Sequence, residues 1–234
     1  MITKNEKKTR VRRTQIAIDR DVLSAVNSLV EEVGFEKITL TSIAQKAKIE
    51  STVFYRRYDS LEDLFDRYTE KYDFWFNSIA ENIPKDISDK EIFSELLSNL
   101  IKSLYKSKGM QQLLIWELSS DNKTTRKTAR MREMLNEPLV SMLEARFAGS
   151  GVNIKVVAAI VISGIYYLIL HRKRSTFCAV DFSTKIGKNQ LESTVIQIIE
   201  LLYSLTEVTN NKMEIAKRLR EEGVNEEIIK RCVI

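Results

Sequence analysis

The octet Ser51-Thr52-Val53-Phe54-Tyr55-Arg56-Arg57-Tyr58 gathers five hydrogen-bonding side chains, Ser51, Thr52, Tyr55, Arg56 and Arg57, into about two helical turns. Hydroxyls and guanidinium groups at that density suit phosphate oxygens and base edges. Val53, Phe54 and Tyr58 supply an inward face, and a helix built only for packing has no need of so many donors. The plainer alternative makes Tyr55 a half-buried core residue, Arg56 and Arg57 surface charges, and Ser51 and Thr52 simple helix starters.

Catalysis has less to work with. His171 is the one histidine, and it opens a basic cluster, His171-Arg172-Lys173-Arg174, at the end of an apolar run. A helix C-terminus favours that charge without any chemistry. Zinc spacing, a Gly-rich phosphate loop and a Gly-x-Ser-x-Gly elbow are all missing from the sequence. No catalytic residue, metal ligand or cofactor is expected, and the chain does not read as an enzyme. Cys178 and Cys232 are too few for a disulfide framework and fit a reducing cytoplasm. The first dozen residues hold no apolar signal core.

The donors need elements to hold them, and the composition points to helices. Only 7 Gly and 2 Pro punctuate 234 residues, 44% of them hydrophobic, and no long apolar–polar alternation appears. An all-α fold is expected. Ile18, Val22, Ala25, Val26, Leu29 and Val33 recur at helical spacing, with Gly34 as the stop, which predicts a helix over 13–33. Thr39 caps a short segment over 40–47, Lys48-Ile49-Glu50 makes a tight connection, and a second short segment runs from Ser51 to Tyr58. Ser60 then caps a long amphipathic helix that includes Trp75 and Phe76 and ends at Pro84. Further helices are expected near 89–107, 109–119, 122–148 (kinked or divided by Pro138), 152–174 and 188–208, then a pair at 211–222 and 225–233.

Two short helices joined by a tight turn are the sequence image of a helix-turn-helix, whose second helix can enter a major groove. The net charge is +5, and residues 4–13 hold six basic residues against one acid, in keeping with a nucleic-acid partner or with a solvated tail. The apolar run from Val156 to Leu170 would span only about 22 Å as a helix, short of the roughly 30 Å of a bilayer's hydrocarbon. It reads as a helix buried on every side, in a core or a subunit interface, rather than a membrane span.

The stretch from Ile38 to Phe65, ITLTSIAQKAKIESTVFYRRYDSLEDLF, resembles the DNA-binding signature of TetR-family regulators. The resemblance covers residues 13 to about 80. Trp116-Glu-Leu-Ser-Ser, Asn136-Glu-Pro-Leu and Val180-Asp-Phe-Ser look, more loosely, like parts of some members' ligand-binding bodies. It implies a basic arm (1–12), a helix-turn-helix domain (13–60), a connecting helix (61–84), a ligand-binding and dimerisation domain (85–210) and a C-terminal helical pair (211–234). Ser51, Thr52 and Val53 match positions near bases, Tyr55 the phosphate-binding tyrosine, Arg56 a base or backbone contact, and Thr41 a position that often touches phosphate. Arg57 stands where many members have His. Lys48 replaces the usual turn Gly, Glu50 the usual cap Ser (Ser51 could cap instead), and Leu61 a Lys, while Arg10, Arg12 and Arg13 of the arm could compensate.

By the same resemblance the protein is a cytoplasmic homodimer joined through 152–174 and 188–208. It would bind a palindromic operator and release it when a hydrophobic or amphipathic small molecule enters the body. The release would run through the connecting helix, which sets the separation of the two reading helices. Trp116, Met134, Tyr166 and Tyr105 are the candidate ligand contacts; an aromatic and Met stripe is equally the mark of a core. The alternative is an activator, or an adaptor of the same fold working through protein partners with weakened DNA binding.

Overall fold

The computed structural model describes residues 14–73, 83–84 and 86–232. The arm with Arg10, Arg12 and Arg13, and residues 74–82 with Trp75 and Phe76, where the connecting helix is expected to continue, lie outside the described residues. Among those described, the architecture is all-α, with one isolated antiparallel bridge between Phe177 and Val180. The chain divides into two compact units, one of residues 1–71 with 112–126, the other of 72–111 with 127–234. This partition does not follow the expected cut at Pro84.

In the first unit, helix α1 (Gln15–Val33) starts where the Thr14 side chain accepts from the Ala17 N–H, and buries Val22, Ala25, Val26, Leu29 and Val30. It stops at Gly34, whose φ of 78° and ψ of 168° suit a residue without a Cβ. A turn of 3-10 helix at Phe35–Lys37, absent from the sequence reading, then buries Phe35. Helix α2 (Leu40–Ala47) opens with a reciprocal cap between Thr39 and Ser42. Helix α3 is only Ser51–Tyr55, shorter than the expected 51–58. Helix α4 (Leu61–Asp73) begins at Ser60, whose Oγ accepts from the Asp63 N–H at 3.1 Å.

Phe35 stacks on Trp116 with centroids 4.4 Å apart and rings 6° from parallel. Phe65 meets both rings edge-on. That packing, with the Ser120 hydroxyl donating to Glu36 and the Thr124 hydroxyl to Asp66, makes residues 112–126 part of this unit. The Ser120 and Ser119 hydroxyls hold the Glu36 carboxyl below its ordinary pKa.

The other unit is built on α5 (Asp89–Lys106), capped reciprocally by Ser88 and Glu91, which buries Phe93, Leu96, Leu97, Leu100, Ile101 and Leu104. Helix α6 (Lys108–Ser119) and helix α7 (Lys123–Arg146) follow in sequence, with residues 112–119 of the one and 123–126 of the other belonging to the first unit. Of the two outcomes expected at Pro138, a kink or a division, division does not occur, and α7 runs through it. Proline removes one N–H, and Pro138 sits on an exposed face where water can serve the carbonyl left without a partner. Helix α8 (Ile154–His171) and the 37-residue helix α9 (Lys185–Glu221) both pack against α5.

Helix α9 replaces the two helices expected at 188–208 and 211–222. Asn210 and Asn211 lower helix propensity by only about 0.7 kcal/mol each, too little to break a helix anchored at both ends. Its far end folds back at Gly223 onto α10 (Glu226–Cys232), around Ala216, Leu219, Val224 and Ile229, and the Arg220 guanidinium pairs with both carboxylate oxygens of Glu226.

Of the two settings expected for the run from Val156 to Leu170, a core or a subunit interface, the core of the single chain does not bury it on every side. Helix α8 has a mean hydropathy of 2.0 yet only 22% of it is buried. Val156, Ile160 and Tyr167 stand exposed.

At the start of α9, Gly187 lies so close to Asp181 that an added Cβ would sit 2.0 Å from its carbonyl oxygen. Main chain cannot yield as a flexible side chain does. Gly187→Ala is expected to cost about 1–3 kcal/mol, read as a lower urea midpoint at unchanged m-value.

Candidate DNA-reading helix and ligand cavity

Helix α3 is too short to hold itself together and is positioned from below. Phe54 and Tyr58 are buried, their rings 5.2 Å apart, and they fix its inner face. Ser51, Thr52, Tyr55 and Arg56 fall on the opposite side and are exposed, Tyr55 by 62%. Thr41 on α2 and Lys48 in the turn are exposed as well. Lys48 takes φ 55° and ψ 48°, the left-handed conformation that the missing glycine would have entered freely, while its N–H bonds the carbonyls of Ala44 and Gln45. At the N-terminus of α3, Glu50 is the cap residue without a side-chain bond, so neither it nor Ser51 takes the capping role expected of Ser51.

Arg57 departs from expectation. Its side chain is only 13% exposed and pairs with Asp19 at 3.0 Å, while a second nitrogen donates to the Gln15 carbonyl at 2.9 Å. Both partners lie on α1, so the guanidinium clamps the start of that helix instead of facing outward. Burial, then the Asp19 charge, raises the Tyr58 hydroxyl above its ordinary pKa. On α4, burial of Lys71 beside the Tyr68 ring pushes its ammonium down to about 8.

In the body, α5, α7 and α8 enclose a cavity of about 140 Å³. Phe93, Leu97, Leu139, Leu143, Ala158 and Ile162 make much of its wall, and Asn136, Tyr166, Glu133 and Lys155 contribute polar groups. The Asn136 amide oxygen is buried with no hydrogen-bond partner. Lys155 pairs with Glu144 at 2.6 Å.

No family model and no curated protein matches the sequence. Solved structures do match. A TetR-family transcriptional regulator from Rhodococcus sp. superposes with a TM-score of 0.61 at 12% identity, over 80% of this chain and 98% of its own. The regulator FadR of Bacillus subtilis, in complex with stearoyl-CoA, does so with 0.59 at 15% identity, over 77% and 96%. AibR, in complex with isovaleryl coenzyme A and operator DNA, gives 0.58 at 12% identity, over 77% and 97%.

The chain has the TetR-regulator fold.

Within that fold, the expected ligand contacts separate. Tyr166 lines the cavity. Trp116 does not, because its indole is spent on the stack with Phe35. Met134 projects outward, 57% exposed. Tyr105 donates to the Phe182 carbonyl at 2.8 Å, with Arg172 and Lys188 over its ring, and burial raises its hydroxyl's pKa. Asn136, which lines the cavity and was not among the expected contacts, carried a legible signal. It interrupts the apolar stripe Leu139, Val140, Leu143 at helical spacing.

Two neighbouring arginines are thus assigned different work. Arg57→Ala is expected to lower the thermal midpoint, with a loss of about 1 kcal/mol from the broken clamp, while Arg56→Ala leaves the midpoint where it was. Melting curves of the two variants check this.

Proposed function

We propose that this protein is a DNA-binding transcriptional regulator, a repressor that leaves its operator when a small apolar or amphipathic molecule occupies the body. The observation that carries this reading is the exposed row Ser51, Thr52, Tyr55 and Arg56 on a helix whose other side is anchored by Phe54 and Tyr58. Tyr55 serves a phosphate, Arg56 a base or phosphate, Ser51 and Thr52 the edge of the groove, with Thr41, Lys48, Arg12 and Arg13 adding backbone contacts. That FadR and AibR were each solved with a small molecule bound supports a small-molecule effector here.

The protein works as a cytoplasmic homodimer on a palindromic site, since one five-residue reading helix offers little specificity alone. Two apolar stripes support this assembly: Val156, Ile160 and Tyr167 on α8, and Leu201, Leu205 and Val208 on α9, the side opposite its buried face. Covering them with a second copy accounts for the high hydropathy of α8 without a membrane. Helix α7 offers a route for release. Thr124, bonded to Asp66 of α4, lies in its first turn, and its later residues line the cavity. A ligand that favours one placement of α7 lowers operator affinity by as much as it prefers that state.

Selection from a random DNA pool at moderate salt is expected to yield a palindromic motif that Tyr55→Ala loses. Arg56→Ala should weaken binding to that motif about tenfold or more. Absence of any motif, with affinity indifferent to salt, would move the protein to the adaptor reading, for which the exposed acid Glu50 beside α3 is the supporting feature.

The dimer has its own test. Ile160→Glu combined with Leu201→Glu is expected to halve the mass seen by light scattering while preserving the helical circular dichroism.

A further inference from the structure

We propose that the cavity between α5, α7 and α8 takes a compact, uncharged ligand, an apolar body about the size of one aromatic ring bearing an N–H or O–H donor for Asn136. The inference rests on the reading of this cavity as the effector site and specifies what enters it.

Size comes first. An engineered apolar cavity of about 150 Å³ holds benzene, whereas pockets for larger ligands run from roughly 300 Å³ upward. At about 140 Å³ this cavity belongs with the former. A long acyl chain would have to displace Leu97, Leu143 or Phe93 from a packed wall.

Polarity comes next. Ten of the fourteen lining residues are apolar, which leaves Asn136, Tyr166, Glu133 and Lys155. The Lys155 ammonium is already matched by Glu144, and both side chains are about half exposed. Glu133 is likewise exposed. The two charged lining groups therefore remain hydrated, and the apolar wall offers nothing to balance an ionised ligand. The Asn136 oxygen differs, being buried and lacking a donor in the protein. A buried acceptor without a partner is costly, so a ligand that supplies the donor gains over a matched ligand that cannot. The unmet need is for a donor, which selects alcohols, phenols and amides over hydrocarbons, ethers and carboxylates of the same shape.

Phenol and toluene form the test pair, since they share shape and differ in the donor. Calorimetric titration of the full-length protein is expected to show phenol binding at least tenfold more tightly than toluene. Asn136→Leu should erase that preference, and Ala158→Phe, which adds a ring at a buried position of the wall, should abolish both. Decanamide, with a donor but a long chain, should bind more weakly than phenol. Equal affinity for phenol and toluene in the unaltered protein overturns the donor assignment without reliance on any variant. A phenol preference that survives Asn136→Leu does the same, and decanamide binding more tightly than phenol overturns the size assignment. Operator affinity, measured on the same samples, separates the two readings. Phenol binding that leaves DNA affinity unchanged upholds this inference and removes ligand-released repression, whereas intact operator recognition with no binding of any probe overturns this inference alone.

Discussion

The face-to-face stack of Phe35 on Trp116 is the contact on which the first compact unit depends. It joins the 3-10 turn after α1 to α6, and Phe65 and Tyr68 of α4 close around Phe35 edge-on. Aromatic pairs in such geometry gain about 0.5–1.5 kcal/mol beyond the area they bury. Their larger effect here is positional, because Gly34, in a backbone conformation that suits glycine, delivers Phe35 to the stack while Gln112 fills the space beside it. With α1 and α4 held this way, α2 and α3 have a floor to rest on, and the exposed row on α3 has a fixed direction.

How much of this the sequence revealed follows from the range of each interaction. Thr39 at its cap, Gly34 at its stop, Ser60 ahead of α4 and the burial of Phe54 and Tyr58 were all legible, since each is decided within a few residues. Arg57 was not: its partner Asp19 lies 38 positions away, and only the assembled unit shows that the guanidinium is taken. Trp116 was assigned to a ligand for the same reason, with its true neighbour far off in sequence. The continuity of α9 went unread because two asparagines look like a break while their propensity cost is small. The 3-10 turn at Phe35–Lys37 is too short to show a period.

The two candidate sites place opposite demands on their surroundings. Helix α3 exposes polar groups and needs rigidity beneath them, which Phe54, Tyr58 and the Arg57 clamp provide. Lys48 takes an unfavourable backbone conformation to make the turn, a cost of about 1 kcal/mol that the packing of Ile43, Ala44 and Ala47 offsets. The cavity hides a polar atom in an apolar wall and needs a void that does not collapse. On the α5 side the wall is held by α9, which packs against α5 and ties Ser98 and Lys102 to Glu192.

The first unit is assembled from two separate stretches of chain, 1–71 and 112–126. Its recombination behaviour follows. A crossover after α4 that joins this N-terminus to an unrelated body would leave Phe35 facing a foreign surface, and the reciprocal hybrid would carry an orphaned Trp116. On the proposed function, DNA specificity and effector response could not be exchanged as cassettes by a single cut. They are inherited together, or separated only where the incoming body brings a complementary ring at that place.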